Sequence, residues 1–150
     1  MRTVVTGGAG FIGSHLVKEL LRNGYYVTVL DDFSTGDMDN LEPHPNLMIE
    51  VLDIAVDELP TIPFDTLFHL AAPVSVPESL EVPMKYWNGI SVASRRVMEW
   101  AYSMGAKSMV AASTAAVYGD STNVPLKESH RPEPMSPYAD FKLEMEHMMS

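Results

Sequence analysis

The feature that most constrains this 150-residue chain is a glycine-rich segment near its start, Thr6-Gly7-Gly8-Ala9-Gly10-Phe11-Ile12-Gly13. Before it, Arg2 to Thr6 is rich in β-branched residues and predicts a short buried strand. After it the period changes: Ile12, Leu16 and Leu20 fall four apart, Val17 and Leu21 lie beside them, and Asn23-Gly24 supplies a stop, so an amphipathic helix is expected. Tyr25 to Leu30 reads as a second strand closed by Asp31-Asp32, completing a βαβ unit with a right-handed crossover. Each glycine then has a mechanical task. Gly7 permits the tight turn off the strand, Gly10 lets backbone approach a pyrophosphate, and Gly13 lets the helix pack closely on the sheet. The helix N-terminus offers free N–H groups and a positive dipole end, so the segment implies a dinucleotide phosphate site.

The pattern continues along the chain. Phe33 to Asn46 reads as a loop, Leu47 to Leu52 as a third strand closed by Asp53-Ile54, and Phe64 to Leu70 as a fourth leading into Ala71-Ala72-Pro73. A helix is expected over Met84 to Ser103, a fifth strand over Ser108 to Ala112, and a last helix from Tyr138 to Met149, with Ser136 as N-cap and Pro137 at the first helical position. Strands alternating with helices predict an α/β class, a Rossmann doubly wound parallel sheet in a three-layer α/β/α arrangement. The expected organisation is one dinucleotide-binding domain over residues 1–150.

Charge narrows the ligand. The chain carries 20 carboxylates against 10 Lys plus Arg, a formal charge of -10. Such a surface repels polyphosphate and anionic lipid, which argues against nucleic-acid and membrane partners. Without Cys there is neither a disulfide framework nor thiolate chemistry, and the N-terminus runs straight into a strand, so a cytoplasmic home is expected. Asp31 falls eighteen positions after Gly13, at a strand end where a carboxylate can accept the ribose hydroxyls of an adenosine. From Asn23 to Met84 there are twelve carboxylates and no Lys or Arg, so a 2'-phosphate would find no cation and NAD is expected over NADP.

Tyr138 and Lys142 are four apart and share one face of the last helix. An ammonium beside a phenol lowers the phenol pKa and makes a usable base. That spacing alone arises often by chance; what adds to it is Ser113-Thr114-Ala115-Ala116-Val117-Tyr118-Gly119 after the fifth strand.

With TGGAGFIGSHL, DDFSTG, the DI pair, HLAA, SVPES with Pro83 and Tyr86, STAAVYG and SPYADFK in order, the chain resembles the extended short-chain dehydrogenase/reductase family, the NAD-dependent nucleotide-sugar epimerases and dehydratases, from end to end. The resemblance implies Tyr138 as base, Lys142 as the residue that lowers its pKa and holds the nicotinamide ribose, and Thr114 as hydrogen-bond partner of the reacting sugar hydroxyl. Thr114 and Tyr138 would then also be the substrate contacts. It implies cofactor contacts at Gly7, Gly10, Phe11, Ile12 and Gly13, at Asp31, Asp32, Phe33, Ser34, Thr35 and Gly36, at Asp53 and Ile54, at Leu70, Ala71 and Ala72, and at Tyr138 and Lys142. The implied chemistry is proton removal from the sugar 4-OH with hydride transfer from C4 to NAD, giving a 4-keto sugar; no metal is implied. Dehydratases and glucuronate decarboxylases of the family carry an acid after the position of Thr114, whereas Ala115-Ala116 looks like the 4-epimerases acting on UDP-hexoses. A dehydratase, decarboxylase or reductase on the same scaffold is the alternative, and a non-catalytic NAD-binding module a further one.

Two features depart from the resemblance. Members carry Asn-x-x-Gly-Thr on the helix after the HLAA strand, and the matching positions here are Ile90, Ala93 and Ser94, with Asn88 two residues early. Members are also about twice as long, so the C-terminal nucleotide-sugar part is expected to be absent from this chain. In that event residues 1–150 alone would bind NAD weakly, the fifth strand would be a bare sheet edge, and the full-length form would be a homodimer built on the helices Met84 to Ser103 and Tyr138 to Met149.

Overall fold

The β-branched runs become five parallel strands in the computed structural model, which describes residues 1–122 and 124–150. They are β1 (Arg2–Thr6), β2 (Tyr26–Asp31), β3 (Leu47–Val51), β4 (Thr66–His69) and β5 (Ser108–Ala111), in the order β3-β2-β1-β4-β5. Strand order reverses between β1 and β4, the place where an open α/β sheet leaves a crevice at its carboxyl edge. The α/β Rossmann-like class expected from the sequence is the one observed.

The chain divides into two compact units, Met1–Ala71 with Arg96–Ala112, and Ala72–Arg95 with Ser113–Ser150. The first holds the sheet. Val4, Val5, Val27, Val29, Leu30 and Leu67 are buried in its strands, and α1 (Phe11–Arg22) packs Val17, Leu20 and Leu21 with Val5, Val27 and Val29 in one cluster. Each such side chain contributes about 1.5–3 kcal/mol by leaving water. The buried stripe of α1 is Gly13, Ser14, Val17, Leu20 and Leu21; of the row read at a period of four only Leu20 lies in it, Leu16 being half-buried and Ile12 exposed. Arg96 donates to the carbonyls of Ala55 (2.5 Å) and Asp57 (2.6 Å), and the Trp100 indole to that of Pro60 (2.9 Å), which pins the connection between β3 and β4.

The second unit is helical. It contains α2 (Val76–Glu81), α3 (Pro83–Tyr86), a π-helical turn (Trp87–Val92), the start of α4 (Ala93–Ser103), a 3-10 turn (Ala115–Tyr118) and α5 (Pro137–Met149). Ser136 caps α5 as its sequence predicts, its Oγ accepting from the Ala139 amide at 3.2 Å with Pro137 in the first turn.

Several boundaries differ from the sequence expectations, each for a local reason. The helix expected over Met84 to Ser103 begins at Pro83 and is widened by the π turn, which brings Tyr86, Ile90 and Ser91 together into burial. Helix α2 was not expected because its six residues are too short for a periodic signal; its mark in the sequence is Ser75, whose Oγ accepts from the Glu78 amide at 3.3 Å. The loop after β2 contains a 3-10 turn over Met38–Asn40 capped by Asp37. Strand β2 starts at Tyr26 and includes Asp31, which pairs with Val51. Strands β3 and β5 stop one residue short of Leu52 and Ala112. Phe64 precedes β4 because its ring packs on Trp100 at 4.7 Å, and Leu70 follows it. Among the described residues no helix is long and apolar enough to cross a membrane.

Candidate active site

All five strands point the same way, so the loops leaving Thr6, Asp31 and His69 emerge at one edge of the sheet. At the end of β1, Gly7 has φ +70°, and a Cβ there would stand 2.6 Å from the Ala71 amide nitrogen. Neither backbone conformation nor space admits another residue. A Cβ on Gly13 would lie 2.1 Å from the Gly7 carbonyl oxygen, so the first turn of α1 rests directly on the loop. Gly10 is different. The nearest atom to its Cβ position is the Gly7 carbonyl oxygen at 3.4 Å, and no side chain caps the helix it opens. The first turn carries no acidic residue, and Phe11 and Ile12 stand 81 % and 66 % exposed upon it. An open approach and the positive end of a twelve-residue helix fit the pyrophosphate of a dinucleotide.

The neighbouring loops are tied to this one. Thr6 Oγ1 accepts from the amides of Leu70 (3.2 Å) and Ala71 (3.3 Å), so its own proton goes to His69 Nδ1 at 2.7 Å and the imidazole proton belongs on Nε2. Asp31 is buried, with Oδ2 accepting from the Ala9 amide (2.8 Å) and Oδ1 from the Phe33 amide (2.9 Å). Each oxygen keeps a lone pair for a further donor. Asp32 Oδ1 accepts from both the amide and the hydroxyl of Ser34. Between them Phe33 has φ +56°, a sparsely populated conformation for a bulky side chain. Gly36 sits where a Cβ would meet the Ala9 Cβ at 2.9 Å, and Asp37 and Asn40 both donate to the Ala9 carbonyl, while Thr35 is exposed. Residues 31–40 thus close over the glycine loop through Ala9.

After β3, Asp53 uses its carboxylate locally, Oδ1 accepting from the Ala55 amide at 2.8 Å, and Ile54 is buried. A cavity of about 390 Å³ between α1 and residues 40–44 includes none of the predicted contacts.

In the second unit α5 presents Tyr138 and Lys142 one turn apart, both buried. Desolvation pushes the Lys142 ammonium down to about 8, because burial disfavours its charged form. The Tyr138 ring meets Tyr86 edge to face, with centroids 6.3 Å apart and planes at 87°. Tyr86 is fully buried; its hydroxyl donates to Glu78 Oε2 (2.7 Å) and accepts from the Ser75 amide (3.0 Å), while Lys85 holds Glu78 Oε1 at 2.6 Å. Burial, then the Glu78 carboxylate, raises the Tyr86 phenol above its ordinary value. Ile90 completes the wall, with Ala72, Ala116 and Phe141 packed around it. Thr114 is extended and caps the 3-10 turn, its Oγ1 accepting from the Ala116 amide at 3.2 Å. The side chains following it, Ala115 and Ala116, offer no acid.

The structure therefore gathers Gly7, Gly10, Gly13, Phe11, Ile12 and the 31–36 segment around one loop, with Leu70 and Ala71 tied to it through Thr6. It places Ala72 in the cluster around Tyr138. Sequence reasoning missed that Ile90 and Tyr86 form the wall behind Tyr138. Their spacing of four, the same as that of Tyr138 and Lys142, was the available signal.

A parallel sheet in this order, opened by a glycine loop on a helix N-terminus, defines a dinucleotide-binding α/β protein. The NAD-dependent epimerase/dehydratase family model matches residues 3–150, and the chain belongs to that family. It is 37 % identical over 152 aligned residues to UDP-glucose 4-epimerase of Lacticaseibacillus casei, covering 99 % of this chain and 46 % of that protein. Among solved structures it resembles UDP-N-acetylglucosamine 4-epimerase from Methanobrevibacter ruminantium M1 in complex with UDP-N-acetylmuramic acid, with 38 % identity and TM-score 0.93 over 99 % of this chain and 49 % of that one. The Thermus thermophilus UDP-glucose 4-epimerase complex with NAD gives 33 % identity and TM-score 0.89, covering 99 % of this chain and 50 % of its own. The chain spans about half the length of the relatives it matches.

Proposed function

We propose that the complete protein is an NAD-dependent nucleotide-sugar 4-epimerase, with a UDP-hexose as substrate, and that residues 1–150 supply its cofactor-binding and acid–base residues. The observation that carries this reading is Tyr138 and Lys142 buried one turn apart on α5, with Thr114 followed by two alanines. NAD, when bound, supplies reversible two-electron oxidation at the sugar C4. Gly7, Gly10, Gly13, Phe11 and Ile12 would hold its pyrophosphate, the 31–36 segment its adenosine, and Asp53, Ile54, Leu70, Ala71 and Ala72 its flank.

The protein's own part is proton chemistry. Tyr138 takes the proton of the sugar 4-OH and later returns it. Lys142, with its ammonium near 8, stays charged at neutral pH and stabilises the Tyr138 phenolate. Thr114 donates to or accepts from the reacting oxygen, so that the 4-OH proton is aimed at the phenol. Without a carboxylic acid at Ala115 or Ala116, the keto sugar is left to turn over and be reduced on its other face rather than lose water. The protein is cytoplasmic in this reading, and its full-length form is a homodimer.

Conversion of UDP-galactose to UDP-glucose by the complete protein tests the reading. Replacing Tyr138 by Phe is expected to lower kcat by at least about 100-fold, as for loss of a positioned base. Full activity of that variant refutes the assignment. A second reading, a NAD-binding module without turnover, draws on Ile90, a hydrocarbon against Tyr138 where family members carry an amide. NAD binding with no epimerisation of any UDP-hexose would favour it.

A further inference from the structure

Helix α5 carries a third group on the face of its catalytic pair. Tyr138, Lys142 and Glu146 follow one another at intervals of four, so they lie in one row along the helix. The Glu146 carboxylate Oε1 accepts a hydrogen bond from the hydroxyl of Ser113, the residue joined directly to Thr114. On its other side Thr114 is bound by the turn it caps: the Ala116 amide holds the Thr114 hydroxyl at 3.2 Å, and Ala116 packs in the cluster of Tyr86, Ile90 and Tyr138. The segment Ser113–Ala116 is thereby fastened to the neighbourhood of Tyr138 at both ends, by packing at Ala116 and by a charge-assisted hydrogen bond at Ser113. A second carboxylate of the same helix, Glu144, accepts from the buried Ser91 of the π turn and ties α5 there.

We propose that Glu146 is a positioning residue: by holding the Ser113 hydroxyl it sets the backbone from which Thr114 reaches the reacting sugar oxygen. The inference rests on the reading of Thr114 and Tyr138 given above. The Val117 amide holds the Thr114 carbonyl at 3.3 Å, and the bond at Ser113 adds a tether on the side away from that turn. A hydroxyl displaced by about 1 Å would aim the proton away from the phenol.

The test uses the complete protein and the variants Glu146→Ala, Glu146→Gln, Ser113→Ala, Thr114→Ala and the double variant Glu146→Ala with Thr114→Ala. Glu146→Ala is expected to lower kcat by on the order of tenfold with KM changed less than about twofold, as for an interaction that matters only in the transition state. Glu146→Gln keeps an acceptor oxygen and should recover most of that loss, and Ser113→Ala, which removes the same bond from its other end, should reproduce it. In the Thr114→Ala background, replacing Glu146 should lower kcat by less than about twofold more, since there is no hydroxyl left to position. Thermal unfolding of the ligand-free protein, with a further double variant Ser113→Ala with Glu146→Ala, gives an independent readout: the two single losses should not add, and additive losses overturn the proposal. Equal loss from Glu146→Ala in both backgrounds overturns the proposal, as does unchanged kcat in Glu146→Ala and Ser113→Ala. If Glu146→Ala does not fold, Ser113→Ala, by itself and with Thr114→Ala, decides by the same criterion. Tyr138→Phe and Thr114→Ala retaining full activity overturns the functional reading itself, a result distinct from losses at Tyr138 and Thr114 that are independent of Glu146.

Discussion

Replacing Lys142 by Met should make the folded chain more stable, and the gain should fade as pH rises. Lys142 is 4 % exposed, and burial lowers its ammonium from 10.5 to about 8. The folded state therefore binds its proton less tightly than the unfolded state does. At about 1.36 kcal/mol per pH decade, that difference is a destabilisation of about 3 kcal/mol wherever both states are protonated, below about pH 8. Between about 8 and 10.5 the unfolded chain holds the proton and the folded chain has released it, so stability of the wild type rises with pH across that window; above it the cost is gone. Methionine fills similar volume with no charge to desolvate. Urea unfolding at about pH 7 should place Lys142→Met above the wild type by up to about 3 kcal/mol, and at about pH 10.5 the two should converge. Titrating groups that do not interact with Lys142 are common to both proteins and cancel in the difference. A gap that stays constant across that whole range would refute the assignment of the shift to burial. The same substitution removes the proposed partner of the Tyr138 phenolate, so stability should be gained as turnover is lost.

Two further outcomes follow from packing in the sheet unit. Thr3 is buried in β1 with its hydroxyl unpartnered, so Thr3→Val should stabilise by about 1 kcal/mol and raise Tm by about 2–4 °C in a scanning melt. Gly13→Ala should cost more than about 3 kcal/mol by urea titration, since its Cβ would meet backbone atoms at 2.1 and 2.7 Å that cannot move aside. Gly24→Ala is the comparison: its φ is +76° but the space around it is open, so only conformational strain of about 1 kcal/mol is expected.

The sheet was legible because its signals are local and repeated. Val4, Val5, Val27 and Val29 are β-branched residues in short runs between breakers, and burial on both faces is what such runs require. The row Ile12, Leu16, Leu20 declared the helix between them. Strand ends were less legible because pairing, rather than composition, decides them: Asp31 belongs to β2 through its register with Val51, although an acid at a strand end reads as the start of a loop. The π turn had no signal in a single sequence. It widens the helix by the packing needs of Tyr86, Ile90 and Ser91, and those are set by α5, whose Tyr138 lies 48 positions beyond Ile90.

The candidate site divides along the same line. Tyr138 and Lys142 could be paired from their spacing because one helix fixes both, whereas the support of Tyr138 comes from Tyr86, Glu78 and Ile90, joined to it only by the tertiary fold. Asp31 shows how a residue can be singled out for an incomplete reason. From the sequence its place at a strand end suggests a ribose acceptor; in the structure both oxygens also accept from backbone amides, Oδ2 from Ala9 within the glycine loop and Oδ1 from Phe33 after it. Neutralising this buried acid would therefore loosen the loop before it touched any ligand, leaving the Ala9 amide or the Phe33 amide without its strongest acceptor. The anion site proposed here would suit an acidic chain because the Asp31 carboxylate already accepts from the backbone that shapes the loop, while no side chain caps the end of α1.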